Sequence, residues 1–195
     1  MGIYLLIIAT VDQYYRGRYI EISEFWRKSI LCKFCGFLSC MSSEASVFTL
    51  VAITLDRMIC IVFPFSKWKF SANFTKNLIF TIWILTFLVS ILPILYTSYF
   101  RDEFYSRSGV CLALHITNRK PAGWEYSVAL FLVTNLLAFI FIVCCYIYMY
   151  NAVMQSNRKL NRMMSKEVRA QRQVGKQMAM IVLTDFCCWC PIISK

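Results

Sequence analysis

Charged residues are scarce in this chain: they make up 16% of its 195 residues, whereas 59% are hydrophobic. A soluble domain carries roughly a quarter charged residues and about half apolar ones, so the composition favours a membrane protein. Glycine and proline are also few, at six and four residues, and no internal repeat or low-complexity tract is present. Histidine occurs once, which leaves little material for a zinc site despite ten cysteines.

Long uncharged runs favour membrane-spanning helices over membrane-spanning strands. Residues 78–100 and 126–157 contain no charged side chain, and Glu44 is the only charge between Lys33 and Asp56. A helix needs about 20 mainly apolar residues to cross a bilayer, and these continuous runs lack the alternation of membrane strands. The sequence therefore predicts an all-α membrane protein. Its spans are expected at approximately 1–11, 33–63, 77–100, 125–150 and 175–195.

Both ends of the chain look like incomplete helices. Residues 1–11 are apolar but too short to span, and they lack the basic start and small-residue cleavage site of a signal peptide. The last apolar run, at residues 178–193, stops two residues before the end. We therefore expect the chain to be a fragment of a longer membrane protein.

The net charge of +11 is distributed unevenly between the segments that join the spans. Segment 64–77 carries three lysines and no acid, and segment 151–177 carries seven basic residues and one acid. Segments 12–31 and 97–125 each carry four basic and three acidic residues. Because an excess of lysine and arginine marks the cytoplasmic side, the first two segments are predicted to be cytoplasmic and the last two extracellular.

The basic cluster at residues 158–176 has two explanations. A nucleic-acid patch or a solvated helix face is the simpler one. Between two membrane spans, a cytoplasmic helical extension that meets anionic membrane lipid and a protein partner is favoured, and no nucleic acid is expected. Asn73 and Thr75 complete a glycosylation pattern, but this topology places it in the cytoplasm, where it should stay unmodified.

Cysteine is the one plentiful residue with reactive chemistry. Eight of the ten lie in or against apolar runs, where cysteine packs as a small hydrophobe. The single histidine, His115, falls on the opposite side of the predicted membrane from the cysteines at 187–190, so no metal or cofactor is expected. No nucleophile–base set is visible either, which argues against an enzyme. Cys32 and Cys111 both face the oxidising side, and the topology favours a disulfide between them.

Several motifs follow one another in an order that resembles the rhodopsin-like G-protein-coupled receptors. In helix three they match the acid-Arg-aromatic triplet and the disulfide cysteine 25 residues before its arginine, and they match the proline of the loop that follows. They also match the tryptophan of helix four, the tyrosine of helix five and the Cys-Trp-x-Pro motif of helix six. The residues are Asp56-Arg57-Met58, Cys32, Pro64, Trp83, Tyr146 and Cys188-Trp189-Cys190-Pro191. The resemblance implies a partial seven-transmembrane helix bundle, from the end of helix two to the middle of helix six. Met58 departs from the pattern, and the seventh helix is absent.

Within that family the chain is similar to the receptors that carry leucine-rich repeats. The similarity rests on MGIYLLIIATVD, SEASVFTL, Thr184-Asp185-Phe186 and the alanine at Ala138. Trp189 together with IVFPF points to the relaxin-receptor-like branch. The resemblance implies a plasma-membrane receptor that passes a signal from an extracellular peptide or protein hormone, relaxin-like above all, to a heterotrimeric G protein.

The resemblance also implies roles for single residues. Asp56 would hold Arg57 at rest, and Arg57 would meet the G protein when helix six swings outward, with support from the Tyr146 hydroxyl. Asp185 would pair with helix seven, while Trp189 would transmit ligand-driven repacking to the kink at Pro191. The alternative for Asp56 and Arg57 is an ordinary surface ion pair.

Glu44 needs a separate explanation, because a charged side chain inside a span costs roughly 2.5–3.5 kcal/mol on insertion scales. The simplest one is a hydrogen bond to a neighbouring helix. Two other functions stay open at this point. A transporter would show repeat symmetry or charged, glycine-broken spans. A truncated isoform that dampens a full-length receptor would have this same sequence.

Overall fold

The computed structural model describes residues 2–17, 19–63, 70–100, 104–106, 109–112, 122–159 and 180. The described residues form helices joined by short turns. These are α1 (Gly2–Tyr14), α2 (Tyr19–Lys28), α3 (Ile30–Val62), α4 (Ala72–Leu95), α5 (Thr97–Phe100), α6 (Trp124–Ser127), a π-helical segment (Val128–Thr134) and α7 (Asn135–Lys159).

Three helical stretches of the described chain are long and apolar enough to cross a membrane. They are Ile30–Val62, Ala72–Leu95 and Trp124–Ala152, and α1 is a shorter apolar helix. The third stretch runs from α6 through the π-helical segment into α7. The predicted span at 175–195 lies outside the described residues except for Met180.

The chain divides into two compact units. The first contains Met1–Thr49 and Lys76–Val133, and the second contains Leu50–Thr75 and Thr134–Lys195. In the first unit, the residues near the predicted extracellular surface form a core of Tyr4, Trp26, Cys32, Cys35 and Cys111. This core anchors the loop segment 109–112 to the ends of the helices.

The predicted extracellular loop 12–31 contains a helix, α2, which its mixed charges do not suggest. Glu24 lies 3.9 Å from both Arg27 and Lys28, as i,i+3 and i,i+4 helical neighbours do. Trp26 is only 5% exposed and fixes this helix against the core. Ser29 then separates α2 from α3: its hydroxyl donates to the Trp26 carbonyl at 2.6 Å and accepts the Cys32 N–H at 3.2 Å. The second bond is an N-terminal cap of α3.

Candidate functional site

A disulfide between Cys32 and Cys111 joins the start of α3 to the loop that follows α4. The two Cα atoms are 5.3 Å apart, the residues are 79 positions apart in sequence, and both side chains are fully buried. The disulfide predicted from the topology is therefore present. It fixes the loop on one side only, so the position of the rest depends on other contacts.

Two hydrogen bonds hold the same loop from the other side. The Trp26 indole N–H donates to the Gly109 carbonyl at 2.9 Å, and the Tyr4 hydroxyl donates to the Val110 carbonyl at 2.7 Å. Both bonds join residues more than 80 positions apart, so they fix tertiary rather than local structure. Together with the disulfide, they tie α1, α2 and α3 to a single short stretch of loop.

A second loop stretch, residues 104–106, reaches into the first unit. Tyr105 is only 2% exposed, and its ring occupies the space beside Gly36 of α3. A Cβ atom at position 36 would lie 2.6 Å from the Tyr105 Cγ, so only glycine leaves room for the ring. Edge-to-face contacts of Phe104 with Phe100 and Tyr126, at 5.0 and 5.8 Å between ring centroids, hold the neighbouring loop residue.

Tyrosine hydroxyls bond two neighbouring carbonyls of α4 next to a proline. Pro93 lies inside α4 and has no N–H, so the Val89 carbonyl four residues earlier lacks its helical donor. The Tyr126 hydroxyl donates to that carbonyl at 2.6 Å, and the Tyr105 hydroxyl donates to the next one, Ser90, at 2.7 Å. Burial raises the pKa of the Tyr105 phenol, which keeps it a neutral donor.

Glu44 lies in this interior and is 1% exposed. Neither carboxyl oxygen has a hydrogen-bond partner within the described part of the chain, so the bond to a neighbouring helix predicted from the sequence is not present there. The Cys40 thiol, one turn earlier on α3, and the Tyr126 phenol interact with the carboxyl electrostatically. Cys40 also interacts electrostatically with Tyr105, so polar side chains connect the loop to Glu44. A buried polar group without a partner is uncommon enough to suggest a functional role.

Asp56 and Arg57 lie near the other end of α3, which ends at Val62. Asp56 is half-buried and Arg57 is exposed. The ion pairs found among the described residues involve Glu24 and not these two side chains. The physical reason is that adjacent residues of a helix do not face each other. The contact expected to hold Arg57 at rest is therefore not made in this structure.

Tyr146 of α7 is half-buried and interacts with the Thr54 hydroxyl of α3. Thr54 itself is fully buried and donates to the Leu50 carbonyl at 2.8 Å. Thr54 and Arg57 lie three residues apart, on the same side of α3. The interaction of Tyr146 found here is therefore with a residue three positions before Arg57, and its support of Arg57 in the active form stays a prediction.

The three residues assigned to helix six cannot be placed. Asp185, Trp189 and Pro191 lie outside the described residues. By contrast, the structure adds Tyr105, Tyr126 and Gly36, which the sequence analysis did not select. A glycine within the apolar run of α3 was the one available signal, since it indicates a close approach of another group.

Comparison with known proteins decides the family. Residues 6–194 match the family "7 transmembrane receptor (rhodopsin family)". The chain belongs to this family. The match spans nearly the whole chain, and it agrees with the order of motifs and with the three membrane-length helices.

Individual members of the family are similar to this chain over almost its whole length. The chain is 49% identical over 193 residues to G-protein coupled receptor GRL101 of Lymnaea stagnalis, covering 99% of this chain and 17% of that protein. It is 37% identical over 193 residues to relaxin receptor 1 of Mus musculus, covering 98% and 25%. It is also 34% identical over 193 residues to the follicle-stimulating hormone receptor of Felis catus, covering 98% and 26%. The chain therefore spans about a quarter or less of the length of these relatives.

These matches confirm the predicted family and fold class, a partial all-α seven-transmembrane bundle with similarity to the relaxin receptors. They also confirm the predicted location, as a multi-pass protein of the plasma membrane. The relatives are named as receptors, not as enzymes.

Proposed function

We propose that this chain is part of the membrane domain of a receptor that couples an extracellular peptide or protein hormone, of relaxin-like type, to a heterotrimeric G protein. The observation that carries the proposal is the family match over residues 6–194. The names of the relatives support it, because they include a G-protein coupled receptor and receptors for relaxin and follicle-stimulating hormone.

Arg57 is the proposed contact for the G protein. Its side chain is exposed near the end of α3, and no described acid forms an ion pair that would have to break before it meets a partner. Tyr146 is proposed to move from Thr54 to Arg57 on activation, a shift of about one helical turn. The basic segment 158–176 is proposed to meet anionic lipid beside this surface.

The extracellular half of the proposed mechanism uses the loop that follows α4. A hormone that displaces this loop would pull on Tyr105, whose hydroxyl bonds to α4 and whose ring fills the space at Gly36 of α3. Cys40 and Glu44 lie next along the path into α3. Asp185, Trp189 and Pro191 are proposed to pass the change to helix six, which would swing outward around the proline kink.

A chimeric receptor tests the proposal. The 195 residues replace the aligned segment of mouse relaxin receptor 1, and relaxin-stimulated nucleotide exchange on the G protein is measured at matched surface amounts. We expect exchange in the chimera and its loss in Arg57→Ala, with relaxin binding unchanged, because Arg57 is exposed and lies 25 residues after the disulfide cysteine along α3.

The matched control is Lys76→Ala, which removes another exposed cation of the described chain on the predicted cytoplasmic side. It should leave exchange within about twofold of the unsubstituted chimera. Exchange by Arg57→Ala at the same level as the Lys76→Ala control would refute the role assigned to Arg57. A chimera that binds relaxin but never promotes exchange would refute the proposed function.

A further inference from the structure

A small cavity lies between α1, α2 and the loop segment 109–112. Its volume is about 230 Å³, and its lining residues are Ile8, Val11, Asp12, Trp26, Gly109 and Val110. Pockets for drug-sized ligands measure roughly 300–1,000 Å³. The cavity is therefore of a size for one long amino-acid side chain rather than for a large organic molecule.

The walls of this cavity are held in place without a ligand. The Trp26 indole N–H bonds to the Gly109 carbonyl, and the Tyr4 hydroxyl bonds to the Val110 carbonyl. The disulfide at Cys111 fixes the next residue of the loop. Because a preformed site does not have to be ordered on binding, little affinity is lost to the entropy of closing it.

The chemistry of the lining is that of a site for a basic side chain. Among the described residues, Asp12 is the one charged residue that lines the cavity; it is exposed and forms no ion pair. Ile8 and Val11 supply an apolar wall suited to the aliphatic stem of lysine or arginine. The Trp26 indole adds an aromatic surface that attracts a cation, and a guanidinium or ammonium group donates strongly to a carboxylate.

We propose that this cavity binds the arginine or lysine side chain of an extracellular peptide ligand. The stem lies between Ile8 and Val11, and the cationic head meets the Asp12 carboxylate beside Trp26. The proposal rests on the function proposed above, because it names a subsite for the peptide that such a receptor would bind. A peptide bound in this cavity would also contact the loop that follows α4, because Gly109 and Val110 form one wall of the cavity.

Binding of small probes to the full chain tests the site. The chain is reconstituted in lipid nanodiscs with fluorine-labelled tryptophan, and the Trp26 resonance is assigned with Trp26→Phe. The probes are N-acetyl-arginine amide and N-acetyl-lysine amide, with N-acetyl-norleucine amide as the uncharged control. We expect a saturable shift of the Trp26 resonance with the two cationic probes and none with norleucine.

Substitutions of acidic residues supply the matched comparison. Asp12→Asn should weaken binding of the arginine probe at least tenfold, and Asp12→Glu should stay within about threefold of wild type. Glu24→Gln removes an exposed acid of α2 that does not line the cavity, so the affinity of this variant for the arginine probe should equal that of wild type. Alkylation of free thiols, read by mass, verifies that each variant keeps the Cys32–Cys111 disulfide.

The outcomes separate the subsite from the receptor function. Equal affinity in Asp12→Asn, or a norleucine shift equal to the arginine shift, overturns the subsite, and so does the absence of any saturable shift. The charge selectivity of the wild-type chain decides the question even if Asp12→Asn fails to fold. Selective binding together with a chimera that never promotes nucleotide exchange would leave the site standing and overturn the receptor function alone.

Discussion

The two ends of α3 hold their polar side chains in opposite ways. At the disulfide-bonded end, which comprises Tyr4, Trp26, Cys32, Tyr105 and Cys111, every one of these side chains is buried. Each of them makes a hydrogen bond or a disulfide to a residue at least 15 positions away in sequence, and Cys32 and Cys111 form the disulfide with each other. At the Arg57 end, which comprises Thr54, Asp56, Arg57 and Tyr146, the arginine is exposed and the acid beside it is half-buried without an ion pair to it.

The function proposed above assigns different roles to these two ends. Bonds between distant residues stabilise the disulfide-bonded end and keep the loop in one arrangement, as a surface that must recognise a ligand requires. An exposed cation with no described ion pair adds little stability, but it is available to another protein. Substitutions at the first end should therefore change stability most, and substitutions at the Arg57 end should change coupling.

The largest loss of stability is expected from Cys32→Ser. Without the crosslink between residues 79 positions apart, the unfolded chain gains conformational freedom, and the free energy of unfolding should fall by about 4 kcal/mol. Thermal unfolding of the purified chain in detergent measures this. Cys144→Ser, at an exposed free cysteine, is the control and should be near neutral. Equal midpoints for the two variants would mean that the disulfide does not stabilise this end.

Gly36→Ala is expected to cost about 1–3 kcal/mol, because the added methyl group overlaps the Tyr105 ring. Gly2→Ala is the control, since nothing lies within 4 Å of a Cβ there. In a Tyr105→Gly background the Cβ, Cγ and Cδ1 atoms nearest to the added methyl group are gone, and Gly36→Ala should instead stabilise α3 through the higher helix propensity of alanine. The same sign of change in both backgrounds would show that Tyr105 does not occupy this space.

Tyr105→Phe should cost about 1.5 kcal/mol at neutral pH, because the buried hydrogen bond from the Tyr105 hydroxyl to the Ser90 carbonyl is lost. Burial raises the pKa of Tyr105 above the pKa of the phenol in the unfolded chain, which is about 10. The stabilisation by this bond is therefore fully present below about pH 10 and is lost as the pH rises through the pKa of the folded protein. The difference between wild type and Tyr105→Phe should therefore narrow above about pH 10. Tyr148→Phe, at a 52% exposed side chain, should show neither effect.

Tyr126→Phe should have a smaller effect, about 1 kcal/mol, from the lost bond to the Val89 carbonyl. The double-mutant cycle with Pro93→Ala sharpens the test. Alanine restores an N–H that the Val89 carbonyl can accept, so Tyr126→Phe should cost less in that background. An unchanged cost would mean that Tyr126 does not replace the bond that the proline removes.

The sequence predicted the helices well because their signal is local. Uncharged runs of membrane length fall where α3, α4 and the 124–152 stretch lie, and the paired oxidising-side cysteines gave the disulfide. The π-helical segment Val128–Thr134 was not predicted, because a continuous apolar run reads the same for i→i+4 and i→i+5 bonding.

The buried loop could not be predicted for a different reason. Tyr105 follows Asp102 and Glu103 and precedes Arg107, so its surroundings in sequence are those of an exposed loop. Its burial depends on Gly36, which lies 69 positions earlier and leaves room for the ring, and on the Ser90 carbonyl of α4, which accepts its hydroxyl. The same limit applies to Asp56 and Arg57: their adjacency in sequence suggested a contact that helical geometry does not favour.

We propose that the Arg57 end serves coupling and that the disulfide-bonded end serves stability. Nucleotide exchange per folded receptor tests this directly, in the relaxin receptor chimera with Arg57→Ala or Ser29→Ala. Ser29 caps α3 at the disulfide-bonded end and is not on the proposed signal path. We predict that Ser29→Ala lowers the folded amount but keeps exchange per folded receptor near the unsubstituted level, whereas Arg57→Ala folds normally and loses exchange. Normal exchange per folded receptor in Arg57→Ala would show that Arg57 is not needed for coupling.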